Sequence, residues 1–270
     1  MKKGLKITLI ITGAVLGCGA LFLAIGGIPF RWKTQEQQFE LTDIVAEPFP
    51  YSSRGVPEDY VSVRYHGWTV SAPVQLHPFT ELRESGESMD SDKRFYCDTR
   101  REEAKICVLF QEPDDLGAPG LAGDSLSDHT LWDRFCLNAV EGYSKKLGHS
   151  VGDYYSLYNL FYHMTEDAPC TSFRDGIAYS MLTYMKEKLL HGYDTVWELH
   201  TETADGFITY LERTDAADTN RHFVAFVDLF LKDARNTECT LTLSTEDKET
   251  LFYMINSVQI DPEKVEQEAT

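Results

Sequence analysis

The sequence predicts an α+β fold, in which a mainly antiparallel sheet is backed by helices and preceded by one N-terminal transmembrane helix. Three observations predict it. Residues 7–30 carry no charged side chain. Two regions, within 60–111 and within 195–243, are rich in β-branched and aromatic residues divided by turn residues, which is typical of strands. Between them apolar residues recur at helical spacing, and strands, helices and strands again indicate an α+β layer arrangement.

The uncharged run over residues 7–30 has the length of a membrane-spanning helix. Its 24 residues reach about 36 Å at roughly 1.5 Å per residue, which exceeds the roughly 30 Å hydrocarbon core of a bilayer. More basic residues precede the run than follow it, and this excess predicts a cytoplasmic N-terminus. These basic residues are Lys2, Lys3 and Lys6 before the run and Arg31 and Lys33 after it. We therefore predict a signal-anchor.

Two other interpretations of this segment stay open. A basic start, an apolar stretch and the small residues Gly17 and Gly19 are also features of a cleaved signal peptide. The run Val-Leu-Gly-Cys at 15–18 resembles a lipobox in which Cys18 becomes the acylated first residue, although Leu16 and the apolar residues after Cys18 depart from that pattern. All three interpretations place the rest of the chain outside the cytoplasm, and the predicted signal-anchor holds it at the cell membrane.

The predicted organisation follows from this anchor. It comprises a cytoplasmic tail (1–6), the transmembrane helix (7–30), a juxtamembrane stalk (31–55), an extracytoplasmic α+β domain (56–262) and a flexible tail (263–270). The stalk is predicted because residues 35–55 combine prolines, serines and glycine with little periodicity.

The part of the chain after Lys33 is strongly acidic. It holds all 43 acidic residues and 20 of the 25 basic ones, a net charge of -23. Such a domain repels phosphate backbones, which excludes nucleic acid as a partner. The acidic surface either keeps the domain soluble or attracts a basic partner or divalent cations. The predicted partners are the membrane, through the N-terminal helix, and a protein of the cell envelope.

The first strands are predicted as two hairpins. Residues 60–65 and 68–76 are joined around His66-Gly67, where glycine adopts the turn geometry, and Pro73 weakens the far end of the second strand. Residues 94–98 and 104–111 form the second hairpin. If Cys97 and Cys107 face each other there, a loop over 101–103 closes the hairpin and the two are close enough for a disulfide. The alternative is that both are small buried apolar side chains.

Three central helices follow. The first runs from a cap at Ser127 to a stop at Gly148, and the second covers residues 153–164 with aromatic side chains on most faces. The third begins at Ser172, has Asp175 in the capping-box position and ends at Gly192. The aromatic helix is predicted to be core; the alternative is a partner surface.

Strands return in the last third of the chain, over 195–200, 206–213, 221–231 and 238–243. A closing helix over 245–257 is predicted to be capped by Ser244 or Thr245.

These last segments resemble a known family. The runs His-Phe-Val-Ala-Phe-Val at 222–227, Thr-Leu-Thr-Leu at 240–243 and Leu-Phe-Tyr-Met-Ile-Asn-Ser-Val at 251–258 are similar to the end of PsbP-like α/β/α sandwich envelope proteins. The early run Gly-Trp-Thr-Val-Ser-Ala-Pro-Val-Gln-Leu at 67–76 resembles the opening strands of the same fold. The resemblance covers about a third of the chain. It implies a non-enzymatic accessory or envelope role and brings no catalytic residues.

The sequence assigns no catalytic, cofactor or metal residue. Its eight histidines form no HExxH motif or i,i+4 metal pair, and no GxSxG, SxxK or P-loop pattern occurs. The nearest approach to a metal cluster is Asp124, Asp128 and His129, and Ser127 and Asp128 are better explained as a helix start. Acidic pairs in loops lack the spacing of an EF-hand. These pairs are Asp90 with Asp92 and Asp114 with Asp115.

Five cysteines follow the anchor, an odd number that cannot pair completely within one chain. They are Cys97, Cys107, Cys136, Cys170 and Cys239.

The anchor, the acidic domain and the absence of catalytic motifs lead to one hypothesis, a membrane-anchored extracytoplasmic binding or accessory protein that is not an enzyme. Its rival is an envelope hydrolase or thiol enzyme whose site is assembled only in the fold.

Overall fold

The computed structural model describes residues 43–78, 93–99, 104–111, 114–115, 131–190, 193, 195–214 and 221–268. These residues form a mixed β-sheet and helices that back it, which confirms the predicted α+β class. No helix in the described ranges is both long and apolar enough to cross a membrane. The predicted span at 7–30 lies outside those ranges.

The described residues fall into two compact units. The helical unit contains 43–45, 131–152 and 156–190. The sheet unit contains 46–78, 93–99, 104–111, 114–115, 153–155, 193, 195–214 and 221–268.

Twelve strands are present in the described ranges. In chain order they are β1 (Glu47–Pro48), β2 (Val61–Tyr65), β3 (Trp68–Ala72), β4 (His77–Pro78), β5 (Lys93–Cys97), β6 (Ile106–Gln111), β7 (Asp114–Asp115), β8 (Thr195–His200), β9 (Ala204–Thr214), β10 (Arg221–Leu231), β11 (Thr237–Thr245) and β12 (Gln259–Ile260). The same described ranges hold five helices: α1 (Leu131–Lys146), α2 (Tyr154–His163), α3 (Phe173–Leu190), α4 (Lys248–Asn256) and α5 (Pro262–Glu268).

The large sheet has the strand order β1-β8-β9-β10-β11-β6-β5-β4, and β7 also pairs with β11. The pair β1–β8 is parallel, and the other pairs among the described strands are antiparallel. A second, small sheet has the order β12-β3-β2. Each strand predicted from the sequence is found, with ends that differ by a few residues.

The β2–β3 hairpin forms as predicted around His66-Gly67. Both turn residues have positive φ, +42° for His66 and +78° for Gly67, as a two-residue type I′ turn requires. A Cβ on Gly67 would lie 2.8 Å from the Asp261 carbonyl oxygen and 2.9 Å from Val265 Cγ2. Only glycine therefore lets the turn pack this closely against the start of α5.

One face of the large sheet and helix α4 enclose the main core. Helix α4 packs against β3, β10 and β11, and its buried residues Leu251, Phe252 and Ile255 recur at the spacing of a single helical face. They meet the inward-facing side chains of β10 and β11, such as Val227 and Leu241, which are fully buried. Each such side chain contributes roughly 1.5–3 kcal/mol relative to exposure.

Helix α4 begins later than the sequence analysis predicts. Its cap is Asp247, whose carboxylate accepts a hydrogen bond of 2.7 Å from the Thr250 amide. Ser244 and Thr245 instead continue β11, where they pair with Cys107 and Ile106. The predicted caps at these residues are therefore wrong, because pairing with β6 extends the strand to Thr245.

The sheet unit also extends beyond the predicted domain boundaries at 56 and 262. Phe49, within the predicted stalk, is buried against Trp197 and Phe252. Asn256 donates hydrogen bonds to the carbonyl groups of Tyr51 and Arg54, which fixes the segment to the end of α4. Val265, within the predicted flexible tail, is buried in the same core. Neither segment shows a strand or helix signal strong enough to reveal this packing.

The helical unit has its own core, formed mainly by α1 and α3 with α2. Tyr143, Leu160 and Leu182 are among its fully buried residues. Ser172 caps α3 as predicted, because its hydroxyl accepts a hydrogen bond of 3.2 Å from the Asp175 amide. The aromatic helix α2 buries Leu160, Phe161 and Tyr162, which favours the core interpretation.

Candidate functional site

Two polar clefts adjoin each other on the sheet unit, because Gln259 and Ile260 of β12 line both. The first, here the tip cleft, has a volume of about 350 Å³ and lies at the β2–β3 turn. The second, here the turn cleft, has a volume of about 290 Å³ and lies at the connection between β8 and β9. These volumes are at the lower end of the range for ligand sites.

The tip cleft carries a local excess of positive charge within an acidic chain. Arg64 and Lys264 line it together with His66, and the one acidic lining residue, Asp261, pairs with Lys264 at 3.0 Å. The Arg64 guanidinium makes no ion pair with another described residue. The cleft therefore presents an exposed cation with no acidic partner in the described part of the chain.

Trp68 is also a residue of the tip cleft, but its side chain lies in the main core. Its side chain is fully buried, and its indole nitrogen has no acceptor among the described residues. A buried donor without an acceptor costs about 1–3 kcal/mol. The indole nitrogen is inaccessible from the cleft, so this cost falls on the core and offers no contact to a ligand.

The turn cleft is bordered by a charged cluster centred on Asp205. The Asp205 carboxylate contacts His200 Nδ1 at 3.0 Å and Arg235 Nη2 at 2.8 Å, and Lys232 Nζ lies 3.7 Å away. Burial alone would raise the pKa of Asp205, but the hydrogen bond to the imidazole and the charges of the two cations hold it below its usual value. This carboxylate is therefore ionised at neutral pH.

His200 lies between two carboxylates. Its Nδ1 contacts Asp205, and its Nε2 lies 3.8 Å from Glu198 Oε2. Ser52 lines the same cleft, but no described hydroxyl or thiol is hydrogen-bonded to the imidazole. The cluster thus resembles the histidine–carboxylate half of a nucleophilic site, with the second nitrogen facing an acid instead of a nucleophile.

Tyr155 extends this cluster to the neighbouring aromatic residues. Its ring stacks on Phe207 with centroids 5.8 Å apart, and the Arg235 guanidinium lies 4.3 Å above it. Burial raises the pKa of the Tyr155 hydroxyl; Asp205 also raises it and Arg235 opposes the rise. Arg235 is therefore held by a carboxylate on one side and an aromatic face on the other.

Asp228 is a second acidic group with an unusual environment. It pairs with Thr240 across β10 and β11. Desolvation, together with the charge of Glu238, raises the pKa of Asp228 to about 7, against a lowering by its hydrogen bond with Thr240. Asp228 lines neither of the two clefts. It is therefore not a candidate for acid–base chemistry on a ligand bound there.

The cysteines fall into two groups. Cys97 and Cys107 are directly opposed in β5 and β6, as predicted, and their sulfur atoms are 3.0 Å apart. On the other side, His77 of β4 pairs with Cys97. Cys239 is instead fully buried, and burial raises the pKa of its thiol to about 12, so it is unreactive. Cys170 is also buried, and the side chain of Cys136 lies outside the described part.

The helical unit holds a buried lysine that the sequence analysis did not single out. Lys186 of α3 is fully buried and donates a hydrogen bond of 2.8 Å to the Met164 carbonyl oxygen. Burial lowers the pKa of Lys186 to about 8, although Asp43 opposes the change. Periodicity offers no signal for it, since a lysine at this position looks like part of a solvated helix face.

Most of the weak candidates for metal binding that the sequence offers stay untested. Asp90, Asp92, Asp124, Asp128 and His129 lie outside the described ranges. Across the residues that the structure does describe, no three His, Cys, Asp or Glu side chains are grouped in a way that holds a metal ion. His149 and His163 both line a cavity of about 260 Å³ in the helical unit.

Neither a protein-family model nor a curated protein sequence matches the chain.

Proposed function

We propose that this chain is a membrane-anchored extracytoplasmic binding or accessory protein, held by a helix over residues 7–30 with its acidic part outside the cytoplasm. The pair of adjoining polar clefts at β12 supports binding as its activity. The resemblance to PsbP-like envelope proteins agrees with an accessory role. The anchor itself is proposed from the sequence.

The tip cleft is the proposed contact site for a protein partner of the cell envelope. Arg64 is an exposed, positively charged hydrogen-bond donor, so the fitting partner presents acceptors, such as a carboxylate side chain or backbone carbonyl groups, from an extended polar segment. The net charge of -23 after Lys33 steers a partner with a basic surface toward the domain. Long-range attraction and local contact thus select different features of one partner.

Charge reversal at the tip cleft tests the binding proposal. The full-length protein and its Arg64→Glu variant are cross-linked in native membranes, captured, and compared by quantitative mass spectrometry. Arg54→Glu is the matched control, because Arg54 is an exposed arginine of the same unit whose ion pair is with Glu249. We expect recovery of the partner to fall about tenfold in Arg64→Glu, because a contact worth about 1.4 kcal/mol is lost, and to stay unchanged in Arg54→Glu. Equal recovery in all three samples contradicts the proposed site.

The anchor is tested separately from the binding site. Carbonate extraction leaves a transmembrane protein in the membrane fraction, and a membrane-impermeant amine reagent labels the domain in intact cells if the domain is outside. Removing residues 1–33 should release the protein in soluble form. Extraction of the full-length chain by carbonate, or labelling only after lysis, contradicts this part of the proposal.

A second candidate function is the envelope hydrolase or thiol enzyme. The observation that favours a hydrolase is that His200, which pairs with Asp205, lines the turn cleft together with Ser52. A hydrolase built on these residues cleaves an activated ester and loses that activity in both Ser52→Ala and His200→Ala. If the wild type hydrolyses the ester no faster than these two variants do, the hydrolase proposal is wrong.

A further inference from the structure

We propose that Cys97 and Cys107 form a redox site, in which the two thiols are oxidised to a cross-strand disulfide by exchange with a protein or small-molecule disulfide, and that Cys107 reacts first. The inference does not depend on the binding function proposed above. It rests on the geometry of the β5–β6 hairpin and on the different exposure of the two sulfur atoms.

The backbone places the two residues at the separation that a disulfide needs. The next pair along the hairpin is hydrogen-bonded, since the Asp98 amide donates to the Ile106 carbonyl oxygen at 3.2 Å. Cys97 and Cys107 are therefore a non-hydrogen-bonded pair, for which the Cα atoms are about 4.5 Å apart. This separation lies within the range of about 4.4–6.8 Å seen in disulfides.

The sulfur atoms are already close to bonding distance. They are 3.0 Å apart, and a disulfide bond of about 2.05 Å requires an approach of about 1 Å. Rotation about the side-chain torsions can supply that approach without a change in strand register. The site therefore suits both the dithiol and the disulfide forms.

Neighbouring contacts hold the register of this pair. The Asp98 carboxylate accepts hydrogen bonds from the amides of Lys105 and Ile106, at 3.1 and 3.3 Å, and so fixes the start of β6 to the end of β5. On its other side, β6 pairs with β11, where Ser244 is opposite Cys107. The two thiols are thus held together before any bond forms.

The two sulfur atoms differ in exposure, and this difference sets the order of the steps. Cys97 is 1% exposed, whereas Cys107 is only half-buried. An external disulfide therefore meets Cys107 first, because exchange requires direct approach of sulfur to sulfur. Cys97 is placed to resolve the mixed disulfide from within the sheet.

The reaction balances as two exchanges. The Cys107 thiolate attacks one sulfur of the oxidant disulfide, forms a mixed disulfide and releases the first thiolate of the oxidant. The Cys97 thiolate then attacks Cys107 Sγ, breaks the mixed disulfide and releases the second thiolate. Two protein thiols are oxidised, one external disulfide is reduced to two thiols, and the two protons lost by the protein pass to the released thiolates. The reverse sequence reduces the site.

Oxidation of the full-length protein tests the bond. The detergent-solubilised protein is incubated with glutathione disulfide, quenched with an alkylating agent, digested and analysed by mass spectrometry. We expect one cross-linked peptide that joins Cys97 to Cys107, in the wild type and also in the Cys170→Ser and Cys239→Ser controls. Persistence of both as alkylated thiols, or pairing of either with another cysteine, overturns the proposal.

The order of reaction is tested with single variants and with the wild type. Cys97→Ser should accumulate glutathione on Cys107, and Cys107→Ser should leave Cys97 modified about tenfold more slowly, since access controls exchange. In case a variant fails to fold, the wild type is also acid-quenched early in the reaction. Glutathione found only on Cys107 supports the order, and glutathione found equally on both cysteines overturns it.

Discussion

Replacing Gly206 by alanine tests how closely β9 and β10 pack at the centre of the large sheet. Gly206 pairs with Leu229 of β10. A Cβ at this position would lie 1.9 Å from the Asp228 carbonyl oxygen and 2.8 Å from the Leu229 Cα. Ordinary contact requires 3.4 Å or more, so the β10 backbone has to move by about 1.5 Å.

The size of the effect follows from what that movement breaks. A local separation of β9 from β10 removes about two ladder hydrogen bonds at about 1 kcal/mol each. Overpacking against atoms that cannot rotate away adds about 1–3 kcal/mol. We therefore expect Gly206→Ala to lower the free energy of unfolding by about 3–5 kcal/mol, a large part of the roughly 5–15 kcal/mol typical of a folded protein.

Urea unfolding followed by tryptophan fluorescence measures this difference, because Trp68 and Trp197 are both buried in the sheet unit. Gly55→Ala is the matched control, since no atom lies within 4 Å of a Cβ at that position. It should leave stability unchanged or raise it by about 0.4–1 kcal/mol through the unfolded state. A loss below about 1 kcal/mol for Gly206→Ala, or equal losses for the two variants, refutes the packing argument.

Three further predictions concern single side chains. Lys186→Met should raise the free energy of unfolding at pH 7 by about 2 kcal/mol. Burial lowers the pKa of Lys186 from 10.5 to about 8, which means that the buried charge destabilises the fold by about 3 kcal/mol. The variant removes this cost but also loses the hydrogen bond to Met164. The wild type alone should then gain stability as pH rises from 8 to 10.5, where only the unfolded chain keeps the proton; parallel pH profiles would contradict this. Asp205→Asn should lower the free energy of unfolding, measured in urea at pH 7, by about 2 kcal/mol, because Lys232 and Arg235 lose the buried carboxylate that they contact. Because the folded-state pKa of Asp205 is lowered, that difference should shrink as pH falls through it, and a constant difference would argue against the ion pairs. Asp247→Ala should lower thermal stability by about 1 kcal/mol through loss of the α4 cap, whereas the exposed Asp233→Ala should not.

Local signals in the sequence were enough for several elements. The His66-Gly67 turn and the opposed cysteines of β5 and β6 depend on residues close together in the chain, and both appear as predicted. The cap of α3 at Ser172 is likewise local, because the hydroxyl meets an amide three residues away. In each case turn chemistry or a fixed period determines the geometry.

Features that depend on distant partners were not predictable in this way. Phe49 reads as part of a linker until Trp197 and Phe252, far along the chain, enclose it. His200 and Asp205 are only five positions apart around a turn, so the sequence gives a weak local indication of their pairing. Arg235 completes that cluster from another strand connection, and no sequence pattern indicates its approach.

One border of the described part of the large sheet has a property with consequences for the protein at high local concentration. The outermost strand there, β1, is only two residues long and ends in a proline, Pro48. Proline has no amide hydrogen to donate, so within the described residues this border does not offer a long row of free backbone groups to a neighbouring chain. Copies crowded together on a surface therefore have little opportunity to join their sheets at this edge.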